Sequence, residues 1–170
     1  MGVPRRRAAA CPRRRALTVD WALVRQRDTA RAMSQENVDV VRRIYEAVAR
    51  RDRDSILALY DANVVMDFSA GTLADHIGGT TTWVGHDGLR SFDRELREAF
   101  ESFETTYEEL IDTGEQVVSV SRYRGRGRKS GVEIDGPLQF GVWSVRDGRV
   151  TRTVWFPSRT EALQAAGLAE

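Results

Sequence analysis

The sequence predicts an α+β domain, with three N-terminal helices packed on one face of a curved, mostly antiparallel sheet. Two observations predict it. Apolar residues recur at three- and four-residue spacing through most of the chain up to about residue 100. From about 103 to 156 the period falls to two, with turn residues between the runs. Helices that cover only part of a strongly curved sheet leave a cone-shaped cavity.

Each element follows from its own pattern. Val38, Val41, Ile44, Tyr45 and Val48 make one apolar stripe, so a helix is expected over about 35–50. Ser34 is the expected cap, with Glu36 favourable in the first turn. Asp52 or Asp54 caps a second short helix carrying Ile56, Leu57 and Tyr60. Residues 64–68 (VVMDF) are β-prone and short, hence a strand. Residues 69–82 are small and polar, a loop of the length that often forms lids or binding segments. Trp83 and Val84 end the loop, and Asp87 is the expected cap of a third helix burying Leu89, Phe92, Leu96, Ala99 and Phe100. Strands are expected over about 103–112, 116–124, 132–146 and 149–156, the third broken or bent near Gly136-Pro137. Asp147-Gly148 is a strong two-residue hairpin signal, and Pro157 stops the last strand. A short helix over 161–166 ends at Gly167.

The chain has 170 residues, 41% hydrophobic and 30% charged, a balance that suits one folded domain rather than a disordered chain. Its longest apolar run, Ile56 to Tyr60, is far short of the roughly 20 residues of a membrane span. The lone Cys11 excludes an intramolecular disulfide framework, and His76 and His86 alone make a histidine-rich metal site unpromising. Neither a metal nor a cofactor is expected, and GxGxxG, P-loop, GxSxG, HExxH and CxxC patterns are absent.

The net charge of +1 hides an asymmetry: residues 1–32 hold nine Arg and two Asp, so +7, which leaves −6 for residues 33–170. The apolar stretch between the two arginine clusters is too short for a secretory signal, and serines are too few for a transit peptide. A phosphate-binding arm is open, since clustered arginine binds phosphates without sequence preference. The plainer expectation is a disordered extension, or an over-extended gene start, that does not pack on the 33–170 domain. Met33 looks like a second, natural start. Arg122, Arg124, Arg126, Arg128 and Lys129 straddle a glycine-bearing turn and read as a solvated basic turn rather than a nucleic-acid site.

Seven segments carry a family resemblance: residues 37–45 (NVDVVRRIY), 57–61 (LALYD), 83–89 (WVGHDGL), 109–115 (ELIDTGE), 124–132 (RGRGRKSGV), 142–150 (VWSVRDGRV) and 159–168 (RTEALQAAGL). Together they resemble the SnoaL-like branch of the nuclear transport factor 2-like superfamily, in particular its small bacterial members. The resemblance implies the cone-shaped fold. It leaves function open, because this superfamily includes polyketide cyclases, ketosteroid isomerase, epoxide hydrolases, dehydratases and non-catalytic binding proteins.

The candidate site residues follow partly from position and partly from that resemblance. Asp67 resembles the general base of ketosteroid isomerase, and a carboxylate at the mouth of an apolar pocket would have a raised pKa. The alternative is a strand-end Asp bonded to a turn. The rest of that isomerase's machinery is missing: its helix tyrosine position reads Ile44, with Tyr45 one residue off, and its late-strand acid position reads Gly141. His86 could exchange protons with Asp67, or simply bond locally at a helix start. Gln139, Gly141 and Trp143 share one strand face, and Thr151, Thr153 and Trp155 share another. By resemblance both faces look into the cone. Tyr45, Trp83, Gln139, Trp143 and Trp155 are therefore candidate ligand contacts, or else ordinary core.

Two functions remain open on these residues. One is cofactor-free acid/base chemistry of cyclase, isomerase or dehydratase type on a small hydrophobic molecule, with Asp67 as base. The other is a non-catalytic ligand-binding or dimerisation module. A homodimer is expected through the outer sheet face, where Val142 and Val154 lie opposite Trp143 and Trp155. A cytoplasmic location, with neither nucleic acid nor membrane as partner, completes the reading.

Overall fold

The computed structural model describes residues 21–168. Helix α1 (Trp21–Arg50) and helix α2 (Arg53–Leu59) come first, then strand β1 (Tyr60–Asp67). A single 3₁₀ turn (Leu73–His76) precedes strand β2 (Thr82–Val84) and helix α3 (Gly85–Ala99). Strands β3 (Phe100–Asp112), β4 (Gln116–Gly127), β5 (Glu133–Asp135), β6 (Gln139–Arg146) and β7 (Arg149–Phe156) follow, then helix α4 (Arg159–Ala165). The seven strands form one sheet in the order β2-β1-β7-β6-β4-β3, with β5 also on β4. Every pairing is antiparallel except β1 with β7. The α+β class and the helix-covered, mostly antiparallel sheet are thus as the sequence predicts.

The predicted stripe of α1 is buried, and Val40 and Ala47 widen it. The helix starts much earlier than residue 35, however. Ser34 is not a cap: it lies inside α1, is buried, and donates its hydroxyl to Asp112. A serine facing the sheet finds its partner 78 residues away, and no local signal reports that. Of the basic segment, residues 1–20 lie outside the described residues, while 21–32 continue α1, with Arg31, Ala32 and Met33 exposed.

Arg51 takes a left-handed φ of 57° and ends α1, and Asp52 then caps α2 by accepting from the Ser55 backbone N–H at 3.1 Å. Helix α3 begins two residues before the expected cap. Gly85, at a φ of 67°, makes the turn, and a Cβ there would stand 2.8 Å from the Ala62 carbonyl oxygen. Asp87 consequently sits in the first turn and pairs with Arg90 at 2.7 Å instead of capping. At the β6–β7 hairpin both Asp147 and Gly148 have positive φ, 51° and 70°, as this tight turn requires.

The two sheet faces carry separate cores. On the concave face, Val64 and Met66 of β1, Phe68 just after it, Tyr123 of β4, Trp143 of β6 and Trp155 of β7 pack under the helices. On the outer face, Val118, Val120, Phe140 and Val142 pack under α4, whose Ala162 is fully buried. Of the two valines expected at a dimer face, Val142 is buried under the last helix, capped by Ser158, while Val154 stays half-buried.

Candidate functional site

Strand alternation decides what faces the cone. On β4 it turns Ser119, Ser121 and Tyr123 inward; on β6, Gln139, Gly141 and Trp143; on β7, Thr153 and Trp155. All the polar side chains of this set are buried. In one cluster, the Trp143 indole N–H donates to Ser119 Oγ at 2.8 Å and the Tyr45 hydroxyl donates to the same oxygen at 3.1 Å. Gly141 makes room for this pair: a Cβ there would come within 2.9 Å of both Ser119 Oγ and Trp143 Nε1. Burial pushes the Tyr45 hydroxyl up to about 12, against the opposing hydrogen bonds of Ser119 and Ser121. The Tyr60 hydroxyl is also raised by burial. In a second cluster, Gln139 Nε2 donates to Thr72 Oγ1 at 2.9 Å, and the Tyr123 hydroxyl lies 3.5 Å from that same oxygen. The Thr153 hydroxyl, 1% exposed, has no hydrogen-bond partner among the described residues.

An aromatic wall accompanies these groups. Phe68 stacks on Trp155 at 5.1 Å and on Phe92 at 5.4 Å, and Trp143 meets Trp155 edge-on at 5.7 Å. Trp83 is buried beside Phe92, and its indole N–H donates to Glu95 Oε1 at 3.3 Å. The other oxygen of that carboxylate is buried without a partner. Tyr45, Trp83, Gln139, Trp143 and Trp155 therefore all belong to the inner face.

Asp67 and His86 do not join them. Asp67 alternates with buried Met66 and Phe68, so it points the other way, towards Arg152. Its carboxylate accepts from the Ser69 backbone N–H at 2.9 Å and lies 3.6 Å from Arg152 Nη2. Hydrogen bonds from Ser69, with the Arg152 charge, hold it below the ordinary carboxylate range and outweigh the cost of burial. The expected raised pKa is thus reversed, because the side chain meets a turn and a cation where a dry pocket was expected. His86 Nε2 meets the Tyr60 carbonyl oxygen at 3.1 Å, the local backbone bond of the plainer reading. Asp67, His86 and Gln139 have three different sets of partners and do not converge.

An open cleft of about 600 Å³ is bordered by His76, Ile77, Glu95, Glu98, Phe100 and Lys129, of which Ile77 and Phe100 also belong to the inner core. The basic run of β4 is internally paired: Arg122 with Glu108, Arg124 with Asp135 and Arg126 with Glu101, at 3.2–3.6 Å. Arg128 closes the end of α3 by donating to the Arg97 and Phe100 carbonyls. Among the described residues no helix is long and apolar enough to cross a membrane, and no three His, Cys, Asp or Glu side chains gather as a metal-ligand set.

Sequence reasoning missed Thr72, Ser119, Tyr123 and Glu95. Period-two alternation from Val117 puts Ser119, Ser121 and Tyr123 on one face and could have found two of these four, Ser119 and Tyr123. Thr72 offered no such signal, since it sits in an aperiodic loop.

A family profile described as a SnoaL-like domain matches residues 41–153. The chain belongs to the SnoaL-like domain family. No curated protein sequence matches it. Among solved structures this SnoaL-like domain is similar to TerC co-crystallised with polyporic acid, at 20% identity and a TM-score of 0.63, covering 78% of this chain and 99% of that one. It is similar to a nuclear transport factor 2-like protein of unknown function from Burkholderia pseudomallei, at 23% identity and TM-score 0.63, covering 78% and 98%. A Mycobacterium tuberculosis protein in complex with estradiol-17β-hemisuccinate aligns at 16% identity and TM-score 0.59, covering 73% and 95%. At these identities the likeness establishes the fold.

Proposed function

We propose that this SnoaL-like domain binds a small, largely apolar, oxygen-bearing molecule inside the cone, without Asp67 acting as a base. One observation carries the proposal: buried polar groups line an aromatic inner face, and one of them, the Thr153 hydroxyl, has no partner among the described residues. A few polar groups set in an apolar concave wall are what ligand pockets need, and an orphaned buried hydroxyl is costly unless something else uses it. Two similar structures hold polyporic acid and an estradiol ester, which are molecules of this kind. Binding is favoured over acid/base turnover because the one nominated base is turned to the other face and held ionised.

The test is a titration of the protein with flat oxygenated aromatics, read by fluorescence of Trp143 and Trp155. Gln139→Leu is expected to weaken binding about tenfold, and Asp67→Asn to leave it unchanged. Abolished binding or turnover in Asp67→Asn would restore the catalytic reading. A homodimer would use the half-buried outer strip around Val154 beside α4; a monomer mass in light scattering at tens of micromolar would rule that out.

A further inference from the structure

The segment between β1 and β2 is bound to the sheet in an unusual way. Leu73, Ala74 and Ile77 are buried in the same core as Trp83, Trp143 and Trp155. Yet among the described residues the only hydrogen bonds from 72–80 to the sheet are those of Thr72 with Gln139 and Tyr123. Gln139 is 4% exposed and Tyr123 2%, so a loop hydroxyl satisfies two groups of the inner wall that water scarcely reaches. Downstream stand Gly78 and Gly79, both at positive φ (83° and 82°), with nothing within 4 Å of where a Cβ would be. Ile77 also borders the open cleft, so the segment separates that cleft from the inner core. Few hydrogen bonds, open space where a Cβ of Gly78 or Gly79 would be and one side open to solvent mean that the segment is held to the sheet mainly by the burial of Leu73, Ala74 and Ile77.

We propose that residues 72–77 are an internal stand-in for the ligand. The Thr72 hydroxyl holds the place of a ligand oxygen at Gln139 and Tyr123, and Leu73 and Ile77 hold the place of the ligand's apolar body. The strap swings out about Gly78 and Gly79 to admit the real one. This rests on the proposed binding inside the cone and deepens it. The ligand is an apolar molecule with a hydroxyl or carbonyl oxygen at one end, because the Gln139 amide donates at that point and needs an acceptor. Ligand and strap compete for one place, so the affinity is set partly by how readily the strap leaves.

The experiment compares wild type, Thr72→Val and Gln139→Leu with two probes, 2-naphthol and naphthalene, by ligand-observed NMR titration. Hydrogen exchange of residues 72–80 is followed alongside, with β4 amides as the control for an intact fold. Valine keeps the shape of threonine and removes the stand-in oxygen. Thr72→Val is expected to speed strap exchange about tenfold with β4 unchanged, and to tighten both probes by about the same factor. Wild type is expected to prefer 2-naphthol, and Gln139→Leu to lose that preference. Equal affinities in wild type and Thr72→Val, or strap exchange that does not respond, would overturn the stand-in while leaving binding in the cone intact. Faster strap exchange with no probe bound by any variant would instead overturn binding in the cone, and the stand-in with it.

Discussion

The two faces of this sheet are closed by different means. The outer face is a plain apolar surface, Val118, Val120, Phe140 and Val142, shut by the two short turns of α4. The inner face mixes aromatics with hydroxyls and an amide whose partners come from α1 and from a loop. An apolar contact asks only for the exclusion of water, so the outer face needs nothing beyond its helix. A buried polar group needs a specific partner, so the inner face can exchange one partner for another of matching chemistry. The proposed binding inside the cone rests on that difference rather than on the presence of a cone.

The comparison can be broken at several points. The largest effect is expected from Trp143→Ala, which removes the indole shared by the inner wall and its Ser119 bond. Chemical denaturation should show a loss of about 3–5 kcal/mol. Ala162→Arg tests the other face. Ala162 is fully buried on the sheet-facing side of α4, so an arginine there lifts the helix and costs about 2 kcal/mol. The inner core stays intact, and the freed outer face should associate, seen as a rise in mass by light scattering. A monomer after Ala162→Arg would mean that α4 is not what keeps that face from a partner.

Tyr45→Phe separates polar from apolar contributions on the inner face, with an expected cost near 1 kcal/mol at neutral pH. Its pH dependence has a definite sign. The folded hydroxyl is raised to about 12, above the unfolded value of about 10. The stabilisation is therefore complete below pH 10 and is lost as the pH climbs towards 12. Alkaline unfolding curves should show wild type losing stability across that window more steeply than Tyr45→Phe. The smallest effect belongs to Asp67→Asn, below about 1 kcal/mol at pH 7 because the Arg152 contact is partly exposed. Asp67 is held below its unfolded pKa, so its contribution is present above about pH 4 and vanishes as acid protonates it. The difference between wild type and Asp67→Asn should disappear in acid.

Much of this was legible in the sequence, and the failures are specific. The helical stripe of α1, the Asp52 cap, the break at Gly136-Pro137 between β5 and β6 and the Asp147-Gly148 hairpin are local features with local causes, and each appears at its place. Trp143, Trp155, Trp83, Gln139 and Tyr45 reach the inner face because strand and helix periods fix direction. Asp67 is the instructive case: the alternation of Val64, Met66 and Phe68 turns its side chain away from the inner face, a local signal that the resemblance to a general base does not carry. Ser34 and Thr72 failed for another reason: their partners, Asp112 and Gln139, are 78 and 67 residues away, and only the folded sheet brings them near.

The parallel pairing of β1 with β7 also sets an order of assembly. Tyr60 lies opposite Val150 and Met66 opposite Thr153, so the first strand has to wait for the last. The β3–β4 and β6–β7 hairpins close over short stretches of chain and can form early, whereas β1 pays a long loop closure before it gains its sheet partner. During synthesis β1, with Val64 and Met66 on one side, remains without that partner until residues 149–156 have left the ribosome. Until then the short strand β2 is its only neighbour in the sheet. The same strand that completes the wall of the cone is therefore the step at which a nascent chain is most exposed to capture by chaperones or by other chains.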